Sequence, residues 1–129
     1  MCIRDSASRI RDKLFVYGND FNTNDGTGVR DYVHVSDLAR AHLAAIDILS
    51  THQSATINLG SEKQYSVMDV IKLTEKITGK EIPYEVAGRR EGDPDKIYAS
   101  SENALNLLGW FAKDSELNNI IETTWRIYK

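Results

Sequence analysis

Read for its apolar positions, the chain is a series of short runs, each closed by glycine or a polar turn. Leu14-Phe15-Val16-Tyr17 predicts a short buried strand, and Gly18-Asn19-Asp20 breaks it. The polar stretch from Asn22 to Gly28 is longer than most plain connections. Asp25-Gly26 and Gly28 supply tight turns within it, so a loop shaped around something is expected there. Tyr32-Val33-His34-Val35 predicts a second strand-like piece, after which Ser36 or Asp37 caps a helix to about Leu49. Leu38, His42, Ala45, Ile46 and Leu49 share one face of that helix, which makes His42 a packed or boundary residue rather than a ligand.

Thr56-Ile57-Asn58-Leu59 predicts another brief strand, closed by Gly60. Ser66 and Asp69 form a short-side-chain variant of the capping box, opening a helix whose buried stripe is Val67, Val70, Ile71, Thr74 and Ile77. Gly79 is its left-handed stop. Alternation through Ile82, Tyr84 and Val86 predicts a strand, and Pro83 assigns it to an edge. A charged loop from Gly88 to Lys96 leads into Ile97-Tyr98-Ala99. A short helix then begins at Ser100 or Ser101, turns Ala104, Leu105 and Leu108 inward, and ends at Gly109. A last helix runs from about Ser115 to Tyr128 with Leu117, Ile120, Ile121, Thr124 and Tyr128 on one side, and Trp110-Phe111 is expected to pack between the two.

Short strands alternating with helices point to an α/β arrangement. Three or four strands are too few for a parallel sheet covered on both faces, so they read as late additions to a sheet whose main strands lie elsewhere. The length, 129 residues, is near that of one domain. Nineteen acidic against 16 basic side chains give a formal charge of -3 with both signs mixed, which provides no long-range attraction to nucleic acid or an anionic membrane. The single cysteine, Cys2, excludes an intrachain disulfide, and no Cys/His spacing resembles a zinc site. No apolar run approaches the roughly 20 residues of a membrane span. Met1 to Ser8 carry no signal-peptide pattern, and the cytoplasm is the default expectation.

Two stretches carry candidate chemistry. In Gly26-Thr27-Gly28-Val29-Arg30-Asp31-Tyr32 the glycines let the backbone pass close to a ligand. Arg30 can place a bidentate fork on a phosphate or carboxylate, and Tyr32 adds a hydroxyl or a ring face. In Gly88-Arg89-Arg90-Glu91-Gly92-Asp93 two adjacent arginines suit a diphosphate, and Asp93 can accept from a ligand hydroxyl or hold an arginine in place. The alternative at each is a solvated turn whose charges pair internally. Nothing in the sequence brings the two arginine sites together. No G-x-G-x-x-G, Y-x-x-x-K, metal motif or nucleophile triad is present, so no catalytic residue is assigned.

The run from Val16 to Ala39, which contains D-G-T-G-V-R-D-Y-V-H-V-S-D-L, closely resembles the UDP-glucose (UDP-galactose) 4-epimerase family of extended short-chain dehydrogenases/reductases. Ile57-Asn58-Leu59-Gly60, Tyr65-Ser66-Val67, Arg89-Arg90-Glu91-Gly92-Asp93 and Leu108-Gly109-Trp110 follow in the family's order. The resemblance implies an NAD-dependent enzyme that interconverts UDP-glucose and UDP-galactose by transient oxidation at sugar C4, homodimeric in its full-length form. It implies that Arg30 and Arg90 contact the UDP phosphates and that Tyr17 and Val67 line the uridine pocket. Tyr32 and Asp93 then lie near the nucleotide sugar, and Ile97 helps to size the sugar pocket.

On this reading the chain is the C-terminal part of a Rossmann-type epimerase, mainly the small substrate domain with a few elements that complete the Rossmann domain. Residues 1–8 are expected to be a non-native leader and 9–129 the substrate-binding portion, with 32–60 packing on the Rossmann domain. The main NAD site is expected to lie outside the chain, which would leave it inactive alone. The competing readings are a fragment of another nucleotide-sugar reductase, such as a decarboxylase or dehydratase, and a non-catalytic nucleotide-sugar-binding module.

Overall fold

The computed structural model describes residues 2–51 and 54–127. Met1 and Tyr128, to which the sequence assigned a leader and a helix end, lie outside them. In chain order the elements are α1 (Cys2–Ala7), β1 (Leu14–Tyr17), β2 (Val29–Arg30), α2 (Val35–Leu49) and β3 (Tyr65–Ser66). There follow α3 (Val67–Thr78), β4 (Tyr84–Ala87), β5 (Lys96–Ile97), α4 (Glu102–Leu108) and α5 (Leu117–Arg126). They form two compact units, one of Met1–Arg30, Tyr65–Ile97 and Ile121–Lys129, the other of Asp31–Gln64 and Tyr98–Ile120.

In the first unit β1 pairs with β4 in parallel, Leu14 opposite Tyr84 and Tyr17 opposite Ala87. β2 is central to a second ladder, antiparallel to β3 and parallel to β5. Alternation along β1 sends Leu14 and Val16 inward and leaves Phe15 and Tyr17 half exposed. The two inward side chains join Ala7, Ile71, Ile82 and Trp125 in one apolar cluster. Ser66 opens α3 with a complete capping box: its hydroxyl accepts from the Asp69 amide, and the Asp69 carboxylate accepts from the Ser66 amide. Gly79 closes the helix at φ 66°, as its sequence position requires. Residues 2–7 of the expected leader form α1, with Ser6 and Ala7 buried.

The second unit is built on Ala41, Ala104 and Trp110, with Val33, Ile57 and Leu59 packed on them. Its sequence-predicted strands do not form among the described residues. Over Tyr32–Val35 the His34 amide donates to the Ser115 hydroxyl at 2.9 Å, and His34 becomes the N-cap of α2, its Nδ1 accepting from the Ser36 amide at 3.0 Å. A strand cannot continue through a residue committed to capping. Thr56–Leu59 keeps the alternating burial of a strand but forms no ladder; the chain is fastened next door, where the Gly60 amide donates to the Ser101 hydroxyl at 2.8 Å.

The face of α2 also differs from expectation. Asp37 and Ala41 are buried, whereas His42, Ile46 and Leu49 lie outward, the last two 62% and 67% exposed. Periodicity found the helix but not its inner side, because a buried carboxylate turns the face by about 100° per residue of offset. Trp110 is buried as expected, and its indole N–H donates to the Asp37 carbonyl at 2.8 Å; Phe111 is exposed.

Parallel strands need crossover connections, and those between β1 and β4 carry helices. This alternating β-α-β order is the architecture of dinucleotide-binding folds. It corrects the expectation that the chain is mainly a small substrate domain with stray strands.

Candidate functional site

The loop after β1 is shaped by its own side chains. Asp25 accepts from the Thr27 amide at 2.9 Å, from the Thr27 hydroxyl at 2.8 Å and from the Ser66 hydroxyl, which joins the loop to the start of α3. Thr27 is buried, and Gly26 sits at φ 76° with the Asn19 carbonyl where a Cβ would be. Burial pushes the Asp25 carboxyl up, but hydrogen bonds from Ser66 and Thr27, with the nearby Lys72 charge, outweigh it and hold the group below the usual carboxylate range. The loop therefore delivers Gly28 and β2 in a fixed register, with the Gly28 carbonyl accepting from the Val67 amide at 3.2 Å.

Six of the residues singled out by the sequence, Tyr17, Arg30, Val67, Arg90, Asp93 and Ile97, lie in the first unit. Arg30 stands opposite Ile97 on β5. Its guanidinium donates to the Val29 carbonyl at 2.7 Å and the Pro94 carbonyl at 3.2 Å. Arg90 lies over the Tyr17 ring, 4.7 Å from the centroid, and its Nε donates to the Asp93 carboxylate at 3.0 Å. Consecutive residues thus hold the two arginines: Asp93 takes Arg90 and Pro94 takes Arg30. The next, Asp95, pairs with Arg89 at 2.9 Å and accepts the Val29 amide through its carbonyl, also at 2.9 Å. Arg90 keeps 63% of its side-chain surface, so most of its donors face water. The arrangement suits a bidentate anion, for which the planar guanidinium is well shaped.

Tyr32 belongs to the second unit. The organising residue there is Asp37, which the sequence offered as a possible cap. Asp37 has no exposed side-chain surface and accepts from the Lys113 and Asp114 amides at 2.9 Å each, from the Ser115 hydroxyl and from Arg40. Burial raises its carboxyl, but those hydrogen bonds and the Arg40 charge overcome that effect and hold it low. The only sequence signal was an aspartate at a helix start, which usually means capping. Among the described residues no His/Cys/Asp/Glu group is arranged to hold a metal, and no helix is long and apolar enough to cross a membrane.

Comparison with known proteins brings further corrections. The model of the NAD dependent epimerase/dehydratase family matches residues 3–60. The chain is 45% identical over 120 residues to UDP-glucose 4-epimerase of Streptococcus mutans, covering 92% of this chain and 36% of that protein. With the Homo sapiens enzyme of the same name the identity is 47%, covering 92% and 34%. A crystal structure of UDP-glucose 4-epimerase from Stenotrophomonas maltophila, with bound NAD and formylated UDP-arabinopyranose, superposes with a TM-score of 0.89 at 37% identity, over 98% of this chain and 38% of that one.

These findings overturn the description of the chain as a C-terminal, substrate-binding portion whose NAD part lies elsewhere. The NAD-dependent family model falls on residues 3–60, nearly half of the sequence, and the likeness to an NAD-bound epimerase extends across both units. The absence of a G-x-G-x-x-G motif misled the sequence reading, because a short motif marks one turn of a cofactor domain and not its extent. At the start of α2 the Ser36 amide is taken by His34 Nδ1, and at the start of α3 the Ser66, Val67, Met68 and Asp69 amides are taken by Asp69, Gly28, Thr27 and Ser66. The chain spans about a third of the length of the relatives it matches, and over more than nine-tenths of its own length it is similar to the UDP-glucose 4-epimerases.

Proposed function

We propose that the chain is part of an NAD-dependent enzyme that interconverts UDP-glucose and UDP-galactose by transient oxidation at sugar C4. Tyr17, Arg30, Val67, Arg90, Asp93 and Ile97, all of the first unit, contact the nucleotide sugar within that NAD-dependent protein. The observation that carries this reading is the attachment of Arg30 and Arg90 to adjacent residues, Pro94 and Asp93, which gives two cationic groups one common support. The similarity to UDP-glucose 4-epimerases supports it. Bound NAD supplies reversible hydride acceptance; the arginines hold the anionic end of the ligand. Strong contacts at that end let the sugar turn without leaving, because the binding free energy resides away from the reacting carbon.

The complete protein acts in the cytoplasm as a homodimer, and the exposed face of α2 around Ile46 and Leu49 packs on further residues of the NAD-dependent module. Titration calorimetry of the chain with UDP at low ionic strength tests the site. Saturable binding weakened about tenfold or more by Arg30→Met and by Arg90→Met is expected, the loss of a charge-assisted contact. Binding indifferent to both substitutions overturns the assignment.

A further inference from the structure

Arg89 and Arg90 are neighbours in sequence and differ in surroundings. Arg90 is 63% exposed and meets one carboxylate, that of Asp93. Arg89 is 37% exposed and lies among partners: its Nη2 donates to Asp95 at 2.9 Å, its Nε is 3.9 Å from Asp20, and its guanidinium carbon is 3.9 Å from the Phe21 ring centroid. Phe21 is itself buried. Gly18, at the end of β1, makes room for this packing, since a Cβ there would fall 2.5 Å from the Phe21 ring and 2.7 Å from Arg89 Cγ.

A guanidinium over a buried ring, hydrogen-bonded to one carboxylate with a second 3.9 Å away, is engaged by its own protein more than Arg90 is. What it does is fasten the 88–95 loop to the segment after β1. Tyr17, which carries the Arg90 guanidinium on its ring, is the residue before Gly18. We propose that Arg89 is a positioning residue for Arg90: stacked on Phe21 and paired with Asp95, it holds the loop so that Arg90 remains between the Tyr17 ring and Asp93. The sequence reading of both arginines as one diphosphate clamp is thereby divided into one ligand-facing residue and one that orients it. The assignment rests on the proposed role of Arg90 as an anion contact.

The test has two arms, both on the 129-residue chain. In the first, the solvent exchange of the Arg90 Nε–H proton is followed by NMR without ligand. Arg89→Met, which keeps the aliphatic stem and removes the fork, is expected to speed that exchange about three- to tenfold, the range of an exposed cation–π contact with its ion pair. Arg89→Lys does not restore the slow exchange, because an ammonium cannot lie flat on Phe21 while reaching Asp95. Exchange unchanged in Arg89→Met overturns the positioning role, whatever the ligand is. In the second arm, UDP affinity is measured against ionic strength. Arg90→Met is expected to flatten the salt dependence, since a direct charge contact is lost. Arg89→Met weakens binding and leaves the slope as it was. Equal flattening by both substitutions makes Arg89 a direct anion contact and overturns the proposal. No effect of Arg90→Met on affinity or slope instead removes the role on which it rests, even where the first arm succeeds.

Discussion

The carboxylate of Asp37 accepts a hydrogen bond from the Ser115 hydroxyl at 2.5 Å, across 78 positions of sequence. The same carboxylate takes the amides of the two residues before Ser115. One side chain at the start of α2 therefore fixes the turn that leads into α5. A charge with no exposed surface is tolerable here because each oxygen receives donors, including Arg40.

Removing that charge is expected to be costly. Asp37→Ala leaves two backbone amides and a hydroxyl without their acceptor, and a loss of about 3 kcal/mol or more in urea unfolding is expected. A loss under about 1 kcal/mol would mean that water or Asp114 replaces the carboxylate.

The carboxyls of Asp25 and Asp37 are both held below their ordinary value. Their contribution to stability is complete above the unfolded pKa, about 3.9, and is lost as pH falls through the lower folded values, because the unfolded chain takes up the protons first. Stability measured by denaturant should thus fall steadily below about pH 4. Asp37→Asn should be less stable at neutral pH and should lose less on acidification.

Ser66→Ala removes the hydroxyl that accepts from the Asp69 amide and donates to Asp25. The cost of a lost N-cap is about 1 kcal/mol, and the added tie to the loop raises the expectation to about 2 kcal/mol. Thermal unfolding of Ser66→Ala and Ser66→Asp would separate the parts, because aspartate can still cap the helix but meets Asp25 with like charge.

Gly26→Ala is expected to loosen the loop between β1 and β2. The glycine has φ 76°, and the new Cβ would lie 2.0 Å from the Asn19 carbonyl oxygen, so backbone must move. A destabilisation of about 1–3 kcal/mol is expected, with faster amide exchange at Phe21, whose N–H donates to the Gly26 carbonyl. Unchanged exchange at Phe21 would contradict this.

Ile97 stands beside Arg30 and is 48% exposed. If it borders the sugar, Ile97→Tyr should weaken UDP-N-acetylhexose binding several-fold more than UDP-hexose binding, the size discrimination of a filled pocket. Equal effects on both ligands in competition titrations would place Ile97 away from the sugar.

Several local features were legible in the sequence because they rest on contacts close in the chain. Ser66 and Asp69 cap one another across three residues, and Gly79 needs only its own backbone freedom. The apolar run Leu14–Tyr17 marked a strand, although the exposure of Phe15 and Tyr17 appeared only in the structure. The two arginine sites were also visible as residue types, Arg30 after a glycine pair and Arg90 in a charged loop. What only tertiary structure decided were relations between distant residues. The inner face of α2 follows from Asp37 meeting residues 113–115, and His34 leaves the strand because Ser115 takes its amide. Arg30 and Arg90 gain a common support only when β2 pairs with β5, which brings Pro94 to Arg30 while Asp93 holds Arg90. Periodicity reports which positions are apolar; it carries no information about the partner that buries a charge, and that partner is chosen when the whole chain folds.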